Sequence, residues 1–155
     1  MRTILKIIIL FLLPACAMAQ TKTAAPTAPK LTSAYVKMLG FKNTSFKKKD
    51  AATWTLKNGV TVYSTFPYGQ KIRGYTGPIP LFIAVDKAGK IQNIVAAKNQ
   101  ESPEFFTLVK PLLKSWNGKT LREAARFKPD AVTGATLSSD AVIRTVNTTA
   151  AKLSK

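Results

Sequence analysis

The chain has 155 residues, with 24 Lys+Arg against 7 Asp+Glu, a formal net charge of +17, one cysteine and no histidine. Its length and its 46% hydrophobic content suffice for one domain with a buried core. The missing histidine excludes Ser-His-Asp or Cys-His nucleophiles and His-ligated zinc, and the single cysteine excludes a disulfide framework, a CxxC redox pair and a self-ligated iron–sulfur cluster.

Residues 1–6 form a short basic stretch and residues 7–13 an unbroken apolar run. Pro14 ends that run, and Ala17-Met18-Ala19 supplies a small-x-small cleavage site. The apolar run is too short to span a bilayer comfortably, so residues 1–19 read as an export signal removed after Ala19. The expected destination is the periplasm or cell envelope. A competing reading takes Leu13-Pro14-Ala15-Cys16 as a lipoprotein box, with Cys16 as the lipidated residue. Simple cleavage after Ala19 removes Cys16 and leaves 22 basic against 7 acidic residues.

Residues 20–30 are small, polar and Pro-bearing, the composition of a flexible tether. A single domain is expected over residues 31–155. It begins with a short helix over 31–40, with Tyr35, Met38 and Leu39 on one face and Gly40 as its stop. Phe46-Lys47-Lys48-Lys49-Asp50 reads as a solvated basic loop, with docking to an acidic partner or anionic surface as the functional alternative. Residues 53–57 and 60–64 have strand character and flank Asn58-Gly59, a strong hairpin signal. A glycine-punctuated stretch over 70–77 leads into a near-continuous apolar strand over 78–85, which is expected to be central. The Asp86-Lys87-Ala88-Gly89 turn joins it to a strand over 90–97.

Helices close the chain. Ser102-Pro103-Glu104 offers a capping residue, a first-turn proline and an acid, and Phe105, Leu108, Val109 and Leu112 mark an apolar face. A short helix is expected over 120–126. A longer one over 138–152 carries Val142, Ile143, Val146 and Ala150 at helical spacing. Strands followed by helices give an α+β domain, a twisted antiparallel sheet packed on one face by helices.

Asp130-Ala131-Val132-Thr133-Gly134-Ala135-Thr136-Leu137-Ser138-Ser139 is the most informative stretch. It is a Thr/Gly/Ala turn feeding a helix, where small residues admit a ligand and free N–H groups favour an anion such as phosphate. Taken alone it supports phosphate binding or simply a capped helix. The Asp-x-x-Thr-Gly-Ala-Thr pattern followed by Ser-Ser resembles the flavinylation motif of the FMN-binding domain family. That domain occurs in the C subunit of the sodium-pumping quinone reductase, in the G subunit of the Rnf complex and in small exported proteins. Gly74-Tyr75-Thr76-Gly77-Pro78-Ile79, Glu101-Ser102-Pro103 and Trp116-Asn117-Gly118-Lys119 resemble three further elements of the family, in the same order. The resemblance is strongest over residues 70–146.

It implies an FMN joined through its phosphate to the Thr136 hydroxyl. It also implies a separate magnesium-dependent flavin transferase that takes FMN from FAD and recognises Asp130. Thr133, Gly134, Ala135 and Leu137 would wrap the phosphate end, with Lys119 as a cationic neighbour. Glu101 and Ser102 match positions that lie against the flavin. Tyr75 and Gly77 complete the implied set, and Trp116 is either near the ring or in the core. Thr136 is thus an acceptor of modification, and no residue is assigned as catalytic or metal-binding. The sequence departs from the family pattern at Ser102, Glu104 and Asn99. The leading expectation is an exported electron carrier serving acidic or membrane-bound redox partners. Non-covalent FMN binding, a small reductase, and a basic module for anionic envelope polymers remain as alternatives; nucleic acid is not an expected partner.

Overall fold

Residues 46–96 form five short strands in a computed structural model that describes residues 27–155. The export signal, Cys16 and the first part of the tether lie outside the described residues. The strands are β1 (Phe46–Lys48), β2 (Thr53–Leu56), β3 (Thr61–Ser64), β4 (Leu81–Val85) and β5 (Ile91–Ala96). They pair in chain order, β1-β2-β3-β4-β5, and every pairing is antiparallel.

The β2–β3 hairpin sets Trp54 opposite Val62. Its loop is Lys57-Asn58-Gly59, one residue longer than a two-residue Asn-Gly turn. Gly59 has φ +85° and donates to the Leu56 carbonyl at 2.8 Å, while Asn58 Oδ1 accepts the Val60 N–H at 3.2 Å. Only glycine occupies such a backbone conformation without strain, so it closes a three-residue loop here. The turn into β5 has a comparable device: Asp86 Oδ1 accepts the N–H groups of Ala88 and Lys90, both at 2.9 Å.

All five residues of β4 are buried, which makes it central in two senses. It has a strand on each side, and both of its faces are covered. Leu81, Ile83 and Val85 pack with Ile91, Ile94 and the helices that follow the sheet. Phe82 and Ala84 point the other way, as the two-residue period of a strand requires, and pack with Trp54, Val62, Val36 and Leu39. The expectation of packing on one face is therefore corrected. The helix α1 (Ser33–Met38) and the segment before it cover the second face through Leu31, Val36 and Leu39. Within α1 the buried residue is Val36, and Met38 is exposed, contrary to its expected place on the apolar face.

The basic stretch expected as a loop is in part the edge strand β1, whose Lys47 pairs with Thr55 and Lys48 with Trp54. Edge strands commonly carry lysines, because charge on an open edge discourages further strand pairing. A one-turn helix α2 (Phe66–Gly69) has no counterpart in the sequence reading. It lies against the last helix so closely that a Cβ on Gly69 would fall 2.7 Å from Thr145 Cγ2.

The helical layer begins with α3 (Pro103–Val109), which tightens without a break into a 3-10 turn over Lys110–Trp116. The buried residues are Phe106, Val109, Leu112, Leu113 and Trp116, whereas Phe105 and Leu108 are exposed. The expected face was therefore misplaced at its N-terminal end. Ser102 holds the N-cap position but makes no side-chain capping bond. The short α4 (Leu121–Ala124) is fixed by a capping box: Thr120 N–H donates to Glu123 at 2.7 Å, and Glu123 N–H to Thr120 Oγ1 at 3.3 Å. The final helix α5 (Thr136–Leu153) starts two residues earlier than expected and buries Val142, Ile143, Val146 and Ala150 as read. Among the described residues, no helix is long and apolar enough to cross a membrane.

Candidate functional site

Three chain segments far apart in sequence meet at the start of α5. The first is the tight loop before β4, closed by a 2.8 Å hydrogen bond from Gly74 N–H to the Gly77 carbonyl. The second is Glu101-Ser102, which leads out of β5 into α3. The third is the turn over residues 132–135, in which Ala135 N–H donates to the Val132 carbonyl at 3.0 Å. Gly134 sits third in that turn with φ +83°, and a Cβ there would meet nothing within 4 Å. Glycine is needed at this position for its backbone conformation, not to relieve crowding. Ser139 Oγ, one turn into α5, accepts the Val132 N–H at 3.1 Å and ties the turn to the helix.

Glu101 joins the first and third segments. It is 7% exposed, and one carboxylate oxygen accepts Thr76 N–H at 2.8 Å, Thr76 Oγ1–H at 2.9 Å and Gly77 N–H at 3.3 Å. The other accepts Tyr75 N–H at 3.2 Å and the Ser138 hydroxyl. Burial pushes the Glu101 carboxyl up, but the hydrogen bonds from Ser138, Thr76 and Tyr75 together outweigh it and hold the group below its ordinary value. Glu101 is thus a charged strut with both oxygens occupied by protein donors. Gly74 leaves room for it: a Cβ there would lie 3.0 Å from the Glu101 carboxyl carbon and 2.9 Å from Ile79 Cδ1.

Between these segments lies a cleft of about 390 Å³, lined by Tyr75, Glu101, Ser102, Phe105 and residues 134–138. That volume lies within the range of small-molecule sites. Tyr75, Phe105 and Leu137 are exposed by 72%, 51% and 61%, so an apolar rim stands open to solvent at the cleft. Its floor is polar. Ala135 gives α5 no side-chain cap, and the first bond of the helix runs from Ser139 N–H to the Ala135 carbonyl at 2.9 Å. The amides of Thr136, Leu137 and Ser138 consequently have no protein acceptor among the described residues. An 18-residue helix therefore directs its positive end and three free N–H groups at a cleft with an apolar rim. A ligand with an anionic group at one end and a flat apolar body at the other suits this arrangement.

The sequence of this region decides the family. A sequence model of the FMN-binding domain matches residues 74–151, about half of the chain. The chain belongs to the FMN-binding domain family. It is a flavin-binding protein, and FMN is its cofactor. No curated protein matches the chain.

Of the residues singled out from sequence, Tyr75, Glu101, Ser102, Gly134, Ala135, Thr136 and Leu137 lie together on the cleft. Thr133 is exposed in the adjoining turn, and Gly77 is buried behind it as a donor to Glu101. Asp130 is exposed upstream of the turn. Lys119 does not line the cleft; its Nζ stands 4.0 Å from the centroid of the Phe127 ring, a cation–π contact. Trp116 belongs to the core, fully buried and edge-on to Phe127 at 5.9 Å. Phe105, expected on the apolar face, is instead part of the rim. Thr76 stands outside the site expected from sequence, although its backbone and side chain both donate to Glu101. A buried acid two residues before a helix was the available signal for such a partner, since it needs several donors.

Proposed function

We propose that FMN occupies the cleft with its phosphate joined to Thr136 Oγ1, and that the protein is an exported electron carrier. The observation that carries this reading is the position of Thr136. It is exposed, is the first residue of the uncapped α5, and stands beside three amides without protein acceptors. A phosphodiester at this hydroxyl would keep one negative charge, which the amides and the helix dipole stabilise. When bound, the flavin supplies redox chemistry, for which residues 27–155 offer no cysteine of their own. The chain's own residues bind and orient it. Tyr75, Phe105 and Leu137 offer apolar contact for the ring, and the Glu101 strut holds the Gly74–Gly77 loop against α5.

A threonine hydroxyl is a weak nucleophile without a base beside it. Glu101, the acid that lines the cleft, already accepts Ser138 and the loop amides. Attachment is therefore assigned to a separate magnesium-dependent flavin transferase, with Asp130 exposed where such an enzyme would read it. In that transfer the Thr136 Oγ–P bond forms, the pyrophosphate P–O bond of FAD breaks, AMP leaves, and the hydroxyl proton is lost. Export to the periplasm or cell envelope rests on residues 1–19, with lipidation at Cys16 as the alternative. N-terminal sequencing of the protein accumulated by cells separates the two.

Coexpression with a flavin transferase tests the site. The expected product carries flavin fluorescence through a denaturing gel, and Thr136→Ala abolishes it. Flavin that binds but is released on denaturation, in the wild type and in Thr136→Ala alike, would establish the non-covalent reading instead. Asp130→Ala is expected to lower the yield of attached flavin with an unchanged fold, checked by circular dichroism.

A further inference from the structure

The cleft leaves most of the positive charge unexplained, and that charge is unevenly placed. Residues 30–57 contain seven lysines, no arginine and one acid, Asp50, whereas residues 74–151 contain ten basic and six acidic residues. All seven of those lysines are exposed. The acids do little to neutralise them. Asp50, Asp86, Glu101 and Glu123 each accept backbone N–H groups in turns, loops or caps. The one ion pair among the described residues joins Asp140 to Arg144 at 3.9 Å.

The fold gathers five of these lysines, Lys42, Lys47, Lys48, Lys49 and Lys57, into a rim on or beside one edge of the sheet. Lys47 and Lys48 lie on β1, the outermost strand, and Lys49 continues it with an N–H to Thr53 carbonyl bond of 2.9 Å. Lys57 N–H reaches back to the Ser45 carbonyl at 3.0 Å. Lys37 and Lys42 border one hollow between α1 and the loop that precedes β1. Successive residues of a strand point to opposite faces, so the β1 lysines project on both sides of the rim. Four strand steps, roughly 19 Å at about 4.8 Å each, separate β1 from β5, and β5 leads directly to Glu101 and the cleft.

We propose that this lysine rim is a docking face for an anionic lipid surface. Protection of an open strand edge accounts for Lys47 and Lys48 but not for Lys42 or Lys57, which lie off the strand. Lysine is a compact, hydrated point charge without the planar fork with which arginine matches fixed carboxylates or phosphates. No aromatic residue within 30–57 is exposed, so the rim has no platform for stacked bases. A lysine-only field without directional partners suits a fluid layer of headgroups, which needs proximity and not register. Docked by this rim, the protein keeps its cleft at the other edge of the sheet, open to a redox partner.

Amine-labelling footprints of the full flavinylated chain test this, read by mass spectrometry on phosphatidylglycerol and on phosphatidylcholine vesicles. Lys42, Lys47, Lys48, Lys49 and Lys57 are expected to lose labelling several-fold on the anionic vesicles alone, with recovery in added salt. Lys110, Lys114 and Lys128 keep theirs. This readout holds however the N-terminus is attached. Equal protection of both groups, protection on neutral vesicles, or none at all overturns the proposal. Replacing Lys47, Lys48 and Lys49 together with glutamine lowers partition onto anionic vesicles roughly 100-fold, at about fivefold per lysine. The same change at Lys110, Lys114 and Lys128 lowers it far less; equal losses overturn the assignment to the rim. Polyglutamate or duplex DNA protecting the rim lysines at lower charge concentration than the vesicles overturns the choice of lipid.

Discussion

Strand β4 separates two unlike halves of one small domain. Leu81, Ile83 and Val85 face the layer of α3, α4 and α5, whose approach loops and helix start form the cleft. Phe82 and Ala84 face α1 and Trp54, a layer that contributes no residue to the cleft lining. Most of the second layer precedes residue 74 and lies outside the family match. It also carries the densest positive charge. The contrast separates chemistry from support: the cleft proposed to hold the flavin is a property of the helical layer, while the other layer completes the core and presents a charged rim.

The largest effects should come from emptying either layer. Trp116→Ala and Phe82→Ala each remove a fully buried aromatic and should cost about 3–5 kcal/mol in urea denaturation. Phe82 also forfeits its contacts with Tyr35 at 5.0 Å and Trp54 at 5.7 Å. Their effects on the site should differ. Trp116 supports Phe127, which leads into the motif turn, so Trp116→Ala should lower flavin attachment even where the variant is folded. Phe82→Ala should not, and equal losses would show that the two layers do not act separately.

A smaller effect should come from Glu101→Gln, which keeps the shape of the strut but not its charge. The expected cost is about 2 kcal/mol near neutral pH, the scale of hydrogen bonds to a charged group. Because the folded-state carboxyl is held below its ordinary value, its contribution is complete above the unfolded value and drains as pH falls through the folded one. The stability gap between wild type and Glu101→Gln should therefore hold from neutral pH down to the ordinary carboxyl value of 4.5 and narrow below it. Urea midpoints measure it, and a gap that widened in acid would contradict the strut.

Gly74→Ala should cost about 1–3 kcal/mol by crowding Glu101 and Ile79, and should lower flavin attachment with it. Thr120→Ala gives the smallest change, about 1 kcal/mol from loss of the α4 capping box. It lies in the helical layer but away from the cleft, so attachment should be unchanged. Thermal melts of both variants rank them.

Much of this was legible in the sequence where one local rule decides the outcome. The Asn58-Gly59 hairpin, the apolar β4 and the helical spacing of α5 are such cases. The motif around Thr136 was legible as a turn feeding a helix start, and most of its neighbours on the cleft were named. Other features depend on tertiary context. Phe105 and Phe106 are adjacent, and no spacing alone shows that the second enters the core while the first forms the cleft rim. The change to a 3-10 turn at Lys110 also alters the phase on which an apolar face is read. Lysines in β1 masked a strand, because an edge strand with exposed residues has no alternation to detect. Lys119 was a plausible neighbour for a phosphate by sequence order, yet the fold places its charge over Phe127.

The central claim is that FMN is joined at the first residue of α5, and peptide sequencing by mass spectrometry of protein coexpressed with a flavin transferase tests it most directly. The account predicts a mass increase of one FMN less one water, located on Thr136 and on no other hydroxyl of the 133–139 stretch. Flavin on Thr133, Ser138 or Ser139, or an unmodified chain under conditions that flavinylate a known acceptor, would contradict it.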